Sequence, residues 1–151
     1  MLIPFTDLDP ALAARDCSDT HVVKLILEVY QGLEHYIERD SRRGYFNYPY
    51  SKWIRESAEN ARWAKLCFVA LLEEYSRRYG KEHSYESKLE KLKVIDTNKF
   101  QGNITTIPFG GIERYRQYFQ EKKSHFSTWK APAVKPAWWT AKTKNDLKVA
   151  K

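Results

Sequence analysis

Five polar side chains between residues 18 and 39 recur at helical spacing and are of types that can do chemistry. They are two imidazoles, an amine, a carboxylate and an amide, located at His21, Lys24, Glu28, Gln31 and His35. At 100° per residue they fall within about 80° of arc, so they form one stripe along a helix. Lys24 and Glu28 are four residues apart and can touch. A carboxylate beside an amine suits acid–base catalysis, and the amine can also form a Schiff base.

The helix that must position this stripe is otherwise apolar. Aliphatic and aromatic residues cover the rest of its circumference: Val22, Val23, Leu25, Ile26, Leu27, Val29, Tyr30, Leu33, Tyr36 and Ile37. The spacing therefore predicts a largely buried helix over residues 18–39 with one narrow solvent-exposed edge.

Two interpretations of this edge are open. In the first it is an active-site wall, with Glu28, Lys24 and His21 as catalytic groups. Gln31 and His35 then bind the substrate. In the second it is a solvated stripe with an ordinary surface ion pair, worth under about 1 kcal/mol. The narrow width and the mixed chemistry favour the active-site interpretation.

A second long helix is predicted from a cap at Ser51 to Tyr79, because Gly80 follows as a stop signal. One face of it carries Trp53, Ser57 and Asn60, with Trp63 beyond them. Two tryptophans around a hydroxyl and an amide can hold a flat ligand and hydrogen-bond its edge. The alternative, which the pattern favours, places both tryptophans in the core and uses Ser57 and Asn60 to fasten neighbouring backbone.

The charge of the chain is concentrated at its C-terminal end. The formal net charge is +7, and residues 122–151 alone hold eight lysines and one acid, Asp146, so residues 1–121 are neutral. Large aromatic residues interleave with these lysines, at Phe126, Trp129, Trp138 and Trp139. Basic and aromatic side chains together suit a phosphate backbone with stacked bases. We therefore predict that Lys130, Lys135, Trp138 and Trp139 bind nucleic acid, unless the tryptophans instead pin the segment to the core.

The remaining chain predicts an all-α fold in a single domain, with two long central helices, shorter helices and an irregular C-terminal segment. A turn of helix is expected at residues 10–15, a charged helix capped near Ser84 at 81–95, and a last helix at 112–123. Residues 40–50 form an aromatic-rich loop that either covers the core or lines a site. Residues 96–111 are predicted to be irregular and long enough to be a functional loop.

Other classes of protein are less consistent with the sequence. No apolar run approaches a membrane span, and no signal-peptide pattern is present. Cys17 and Cys67 make no disulfide framework, which indicates a reducing, cytoplasmic location, that of the host if the protein is viral. Cys17 and His21 are four apart, but no second pair has ligand spacing, so neither a metal nor another cofactor is expected.

The run from Asp19 to Glu28, Asp-Thr-His-Val-Val-Lys-Leu-Ile-Leu-Glu, resembles the Asp-x-His-Leu-x-x-x-x-x-Glu segment of the phage pyrimidine-dimer DNA glycosylases of the endonuclease V type. Lys24 and Glu28 also fall on the Lys and Glu of the Lys-Gln-Arg-Val-Glu helix of their small bacterial relatives. The helix after Tyr48-Pro49 is similar too, and the runs His-Val-Val-Lys, Arg-Tyr-Gly-Lys and Phe-x-x-Trp-Lys look like those of uncharacterised phage proteins. The resemblance covers roughly half the chain.

This resemblance implies a compact helical fold, a kinked DNA substrate, and Glu28 as the essential carboxylate. The sequence departs from the family at two points. The phage enzyme attacks with the α-amine of a small residue exposed after Met removal, whereas Leu2 follows Met1 here. Leu27 occupies the position of the arginine beside the phage enzyme's glutamate.

The function predicted from these observations is an enzyme acting on DNA bases, a glycosylase or lyase, with Glu28 as the carboxylate and Lys24 as the candidate amine. Two other functions are kept open. One is a non-catalytic nucleic-acid-binding phage protein, and the other is an enzyme that modifies nucleotides or bases in the same pocket.

Overall fold

The computed structural model describes residues 3–40, 44–143 and 146. Over that part of the chain it contains helices and no β-strand, so the predicted all-α class is confirmed. The α-helices are α1 (Pro10–Asp16), α2 (Asp19–Ile37), α3 (Pro49–Glu56), α4 (Ala58–Tyr79) and α5 (Gly111–Lys123). Short 3-10 turns lie at Ser84–Leu89, Lys91–Val94, Thr97–Lys99, Pro108–Gly110 and Ser124–Phe126. No helix in the described ranges is long and apolar enough to cross a membrane.

The core lies between α2 and α4, which form the most extensive helix–helix contact, with α1 packed on α4 and α3 on both. Fully buried side chains from the two central helices meet there: Leu25, Ile26, Val29, Leu33, Trp63, Phe68 and Leu71. Each buried side chain of this size is worth about 1.5–3 kcal/mol. Val23 and Leu27 remain 36% and 39% exposed, so the apolar side of α2 is narrower than its sequence predicts.

The prediction of one long helix from Ser51 to Tyr79 is wrong, because the helix is interrupted at Ser57. This residue is fully extended (φ −156°, ψ 157°), and its hydroxyl accepts a hydrogen bond from the backbone N–H of Asn60 at 3.0 Å. Ser57 is thus the N-cap of α4, a position that its side chain favours over a helix interior. Asn60 donates to the Trp53 carbonyl at 2.7 Å, which satisfies an acceptor freed by the break.

The prediction of a charged helix at 81–95 is also wrong, since this stretch forms the 3-10 turns Ser84–Leu89 and Lys91–Val94. His83, rather than Ser84, caps the first turn, with Nδ1 accepting from the Tyr85 N–H at 2.9 Å. Lys91 ties the second turn to α2 through Glu34 and Glu38, at 3.1 and 2.6 Å. These tertiary contacts replace the i to i+4 ladder that a continuous helix would have made.

The C-terminal segment folds back onto the body over its described residues. Trp129 Nε1 donates to the Asp16 carbonyl at 3.2 Å, and Trp138 Nε1 donates to the Asp16 carboxylate at 3.1 Å. Trp139 is 4% exposed and packs edge-on against Trp129. The carboxylate of Asp19 accepts hydrogen bonds from the Lys130 N–H and the Thr128 hydroxyl, each at 2.9 Å. The tryptophans therefore anchor this segment.

Candidate active site

The two imidazoles of the predicted stripe are buried, so the expectation that all five side chains share a solvent-exposed edge is wrong. His21 is 3% exposed, and its Nδ1 is hydrogen-bonded to the Ser18 hydroxyl at 3.0 Å. Phe119 and Phe126 cover its ring, with centroids 5.0 and 5.7 Å away. Burial, reinforced by the positive charges of Lys123 and Lys24, lowers the pKa of His21 to about 4. His21 is therefore a neutral packing residue at pH 7, and a catalytic role for it is not supported.

His35 fastens α3 to α2. It is also 3% exposed, and its Nδ1 lies 2.8 Å from the Ser51 hydroxyl. Ser51 accepts a second hydrogen bond from Arg55 Nη1 at 2.6 Å, and Arg55 stacks on the Phe46 ring. A serine beside a histidine invites a nucleophile hypothesis, but Ser51 has no exposed surface from which to attack a substrate. The predicted substrate-binding role of His35 is replaced by this structural one.

Lys24, Glu28 and Gln31 remain as the accessible part of the stripe. Lys24 is exposed, and Glu28 and Gln31 are half-buried. No ion pair joins Lys24 to Glu28 in the described ranges, although Glu28 does have an interaction partner. The amide oxygen of Gln31 is buried with no hydrogen-bond partner in the structure as described, and its amide nitrogen faces Gly44.

An open cavity of about 440 Å³, within the size range of small-molecule sites, lies between α3 and α5. Its lining side chains come from α3, α5 and the 3-10 turn before α5: Tyr50, Phe109, Arg114, Tyr115 and Tyr118. Their exposure increases from floor to rim, since Tyr115 is 4%, Tyr118 40% and Phe109 60% exposed. The cavity thus has aromatic walls and one fixed positive charge.

Electrostatics connect this cavity to the stripe. Burial raises the pKa of the Tyr50 phenol, and the negative charge of Glu28 adds to that rise. Burial and the neighbouring Tyr50 hydroxyl also raise the pKa of Tyr115. Both phenols are therefore neutral at pH 7. Because the Tyr115 hydroxyl oxygen is buried, the half-buried Tyr50 is the one of the two that can donate a hydrogen bond to a ligand. Two neutral phenols and a guanidinium therefore share one aromatic opening, and the Glu28 charge acts on it through Tyr50.

The cavity lining does not include Trp53, Ser57 or Asn60, whose contacts hold neighbouring backbone in place. Trp53 and Asn60 are buried, at 1% and 0% exposure. Asn60 exchanges hydrogen bonds with Thr105, from Nδ2 to Oγ1 at 2.8 Å and from the Thr105 N–H to Oδ1 at 3.0 Å. These bonds fasten the segment that leads into Phe109. The ligand-binding interpretation of this face is thus wrong, and the backbone-fastening one fits the contacts.

The C-terminal residues predicted to bind nucleic acid are of two kinds, tryptophans that contact the body of the protein and exposed lysines. Trp139 is in the core and cannot stack on a base. Trp138 is half-buried, with its N–H bonded to Asp16 and the Arg116 guanidinium 5.3 Å from its ring centroid, and its role in binding nucleic acid stays a prediction. Lys130 and Lys135 are exposed, with the Lys130 ammonium 5.4 Å from the Tyr79 ring centroid. Their role in binding nucleic acid stays a prediction.

Sequence reasoning missed Phe109, Arg114 and the tyrosines of α5 as site residues. It did single out the aromatic loop before α3 and the irregular 96–111 segment, which together supply Tyr50 and Phe109. One pattern in the sequence indicated a tight turn at this site. In Pro108-Phe109-Gly110-Gly111 an aromatic residue stands between a proline and two glycines, the residue types that favour turns.

No cluster of three or more histidine, cysteine, aspartate or glutamate side chains in the described ranges is arranged to hold a metal ion. No family model, curated protein or solved structure matches the chain.

Proposed function

We propose that this protein is an enzyme of the DNA glycosylase or lyase type and that the aromatic cavity receives the DNA base on which it acts. The observation that carries the proposal is a cavity walled by Tyr50, Tyr115 and Tyr118, in which Tyr50 lies close enough to Glu28 for the carboxylate charge to raise its pKa. Aromatic walls bind planar bases by stacking, and neutral phenols can hydrogen-bond to base edges. The resemblance of the Asp19 to Glu28 run to phage pyrimidine-dimer glycosylases supports the same class of reaction.

In this proposal Glu28 acts on the sugar attached to the bound base. Breaking the glycosidic bond leaves the bonding electron pair on the base and positive charge on the sugar ring. A carboxylate stabilises that charge or orients the attacking water. A neutral tyrosine hydroxyl in the cavity is placed to hydrogen-bond to the departing base.

Lys24 is the proposed nucleophile for a lyase reaction. It is exposed and lies one helical turn before Glu28, on the same side of α2. Its amine attacks the sugar carbon as the base departs with the bonding electron pair. The bond from that carbon to the ring oxygen then breaks, a proton passes from nitrogen to the ring oxygen, and an imine is left on the opened sugar. Borohydride reduces such an imine to a stable bond between protein and DNA.

A non-catalytic nucleic-acid-binding protein is the second candidate. The observation that favours it is the set of exposed lysines on the docked C-terminal segment, at Lys130, Lys135 and Lys142. These charges can hold a phosphate backbone without any chemistry at Glu28.

One experiment separates the two functions. The full chain is incubated with duplex and single-stranded oligonucleotides carrying a panel of modified bases, with and without borohydride. Base release or a trapped covalent complex supports the enzyme. Salt-sensitive binding with no reaction on any substrate supports the binding protein, and absence of both overturns the DNA proposal.

A further inference from the structure

Phe109 combines an unfavourable backbone conformation with an exposed ring. Its φ and ψ are 61° and 32°, and it is the one non-glycine residue with positive φ in the described part of the chain. Side chains with a Cβ avoid this region, and phenylalanine lacks the polar group that helps asparagine adopt it. Such residues cluster at functional sites, where the conformation serves a purpose other than stability.

Packing does not account for a phenylalanine at this position. The ring is 60% exposed, so it contributes little to the core. The next two residues, Gly110 and Gly111, also have positive φ, at 94° and 85°. A third glycine would form the same turn without strain, which means that the aromatic ring itself is what position 109 supplies.

The turn places this ring and a guanidinium at the same opening. The Phe109 ring centroid lies 5.7 Å from that of Tyr50, on the rim of the cavity. A Cβ on Gly110 would lie 3.3 Å from the Cβ of Arg114, so the turn packs directly on the stem of that side chain. Gly110 is therefore required both by its φ and by this close approach.

We infer that Phe109 stacks on a nucleobase entering the cavity while Arg114 pairs with the adjacent phosphate, so that the substrate is an unpaired base of a DNA strand. The inference rests on the proposed function and specifies its substrate. Aromatic stacking binds any base face, and a guanidinium forks onto phosphate oxygens. A base that is paired and stacked inside an intact duplex offers no face to the Phe109 ring and cannot reach Tyr115 on the cavity floor.

The probe is a short single-stranded oligonucleotide carrying one 2-aminopurine, whose fluorescence falls when the base stacks on an aromatic ring. The full chain is titrated into it, and into the same strand annealed to its complement. We expect quenching and binding with the single strand and much weaker quenching with the duplex.

Three variants then isolate the ring from the backbone. Phe109→Leu keeps the strained conformation and removes the ring, Phe109→Gly removes both, and Phe109→Trp keeps a stacking surface. We expect Leu and Gly to lower the affinity for the single strand by about tenfold or more and to abolish the quenching, while Trp retains both. Val94→Ala, which removes exposed apolar surface elsewhere, is the matched control and is expected to change neither.

Thermal unfolding decides between a binding role and a structural role. The melting temperature of Phe109→Gly is expected to equal or exceed that of the wild type, because the strain is relieved. A lowered melting temperature together with lost affinity, or equal affinity in all variants, overturns the role of Phe109 and leaves the proposed function standing if base release is still observed. A wild-type protein that neither binds DNA nor reacts with the panel overturns both.

Discussion

Arg78 Nη1 lies 3.2 Å from Asp19 Oδ1, and this ion pair joins the end of α4 to the start of α2. The Arg78 side chain is fully buried and also pairs with Glu74 at 3.0 Å. Its remaining donors reach the carbonyls of Cys17 and Arg15, at 2.6 and 3.1 Å. One guanidinium therefore closes the junction between α1 and α2, where the backbone would otherwise leave acceptors unsatisfied.

Arg78→Ala is expected to lower the free energy of unfolding by about 3–5 kcal/mol, because it removes the cation paired with Asp19, one of the two arginines paired with the buried Glu74, and the donors to two backbone carbonyls. Arg78→Lys is expected to recover only part of that loss, since an ammonium cannot form the planar fork. Urea unfolding followed by circular dichroism measures both. Arg77→Ala is the comparison: its exposed side chain pairs with the same Glu74 at 2.6 Å but reaches no backbone carbonyl of the junction, and its removal should cost only about 1 kcal/mol. Equal effects of the Arg77 and Arg78 variants would contradict this account.

Trp139→Ala is expected to destabilise the protein by about 3–5 kcal/mol, because the indole is buried in the core. Deleting residues 131–151 should be at least as costly, since it also removes Trp138 and its bond to Asp16. Thermal unfolding tests both changes. Wild-type stability after the deletion would show that the segment is not part of the core.

Lys135→Ala is expected to leave the stability unchanged and to weaken binding to duplex DNA. If the lysine contacts a phosphate, the slope of log affinity against log salt should become shallower by about 0.9. Fluorescence anisotropy at several salt concentrations gives the slope. The exposed Lys93, which pairs with Glu90 on a 3-10 turn, provides the comparison variant Lys93→Ala, for which no change of slope is expected.

The buried His21 predicts a pH dependence of stability. Its pKa is lowered from 6.5 to about 4 in the fold, so below pH 6.5 the unfolded chain takes up a proton that the folded chain does not. The free energy of unfolding therefore falls as the pH falls through this window, by about 2 kcal/mol between pH 7 and pH 5. The test compares urea unfolding of the wild type and His21→Asn at both values. A decrease of the same size in the variant would assign the effect to other groups.

Glu28→Gln keeps the size and hydrogen bonding of the side chain and removes its charge. Activity on any substrate found in the panel is expected to fall by about a hundredfold or more, with DNA binding nearly intact. Glu38→Gln, at the end of the same helix, where the carboxylate pairs with Lys91, is the control. Full activity of Glu28→Gln would remove the carboxylate from the mechanism.

Lys24→Ala and Lys24→Arg are both expected to abolish borohydride trapping, since a guanidinium cannot form the imine. Lys52→Ala, which removes another exposed lysine, should trap normally. Trapping that persists in Lys24→Ala would transfer the nucleophile to another amine, with the α-amine of Met1 as the next to test by acetylation.

Helical periodicity predicted which residues of α2 share a side, but it holds no information about what covers them. The spacing places His21 and His35 on one stripe with Glu28. Their burial depends on residues of other helices, Phe119 over His21 and Ser51 beside His35. The helix break at Ser57 was within reach of sequence analysis, because serine is disfavoured in a helix interior and favoured as an N-cap. The cavity could not be predicted from the sequence, since its rim depends on the left-handed turn at Phe109.

The contacts that dock the C-terminal segment have a consequence for how the chain folds. Asp19 and Asp16 bond to partners 109 to 122 positions further along the sequence. During synthesis on the ribosome, the α1–α2 junction therefore lacks these partners until residues 128–138 have been made. Such distant contacts raise the contact order, whereas in an up-and-down helical bundle neighbours in sequence are mostly neighbours in space. Completion of the native state is accordingly expected to be slow for an all-helical protein of this size.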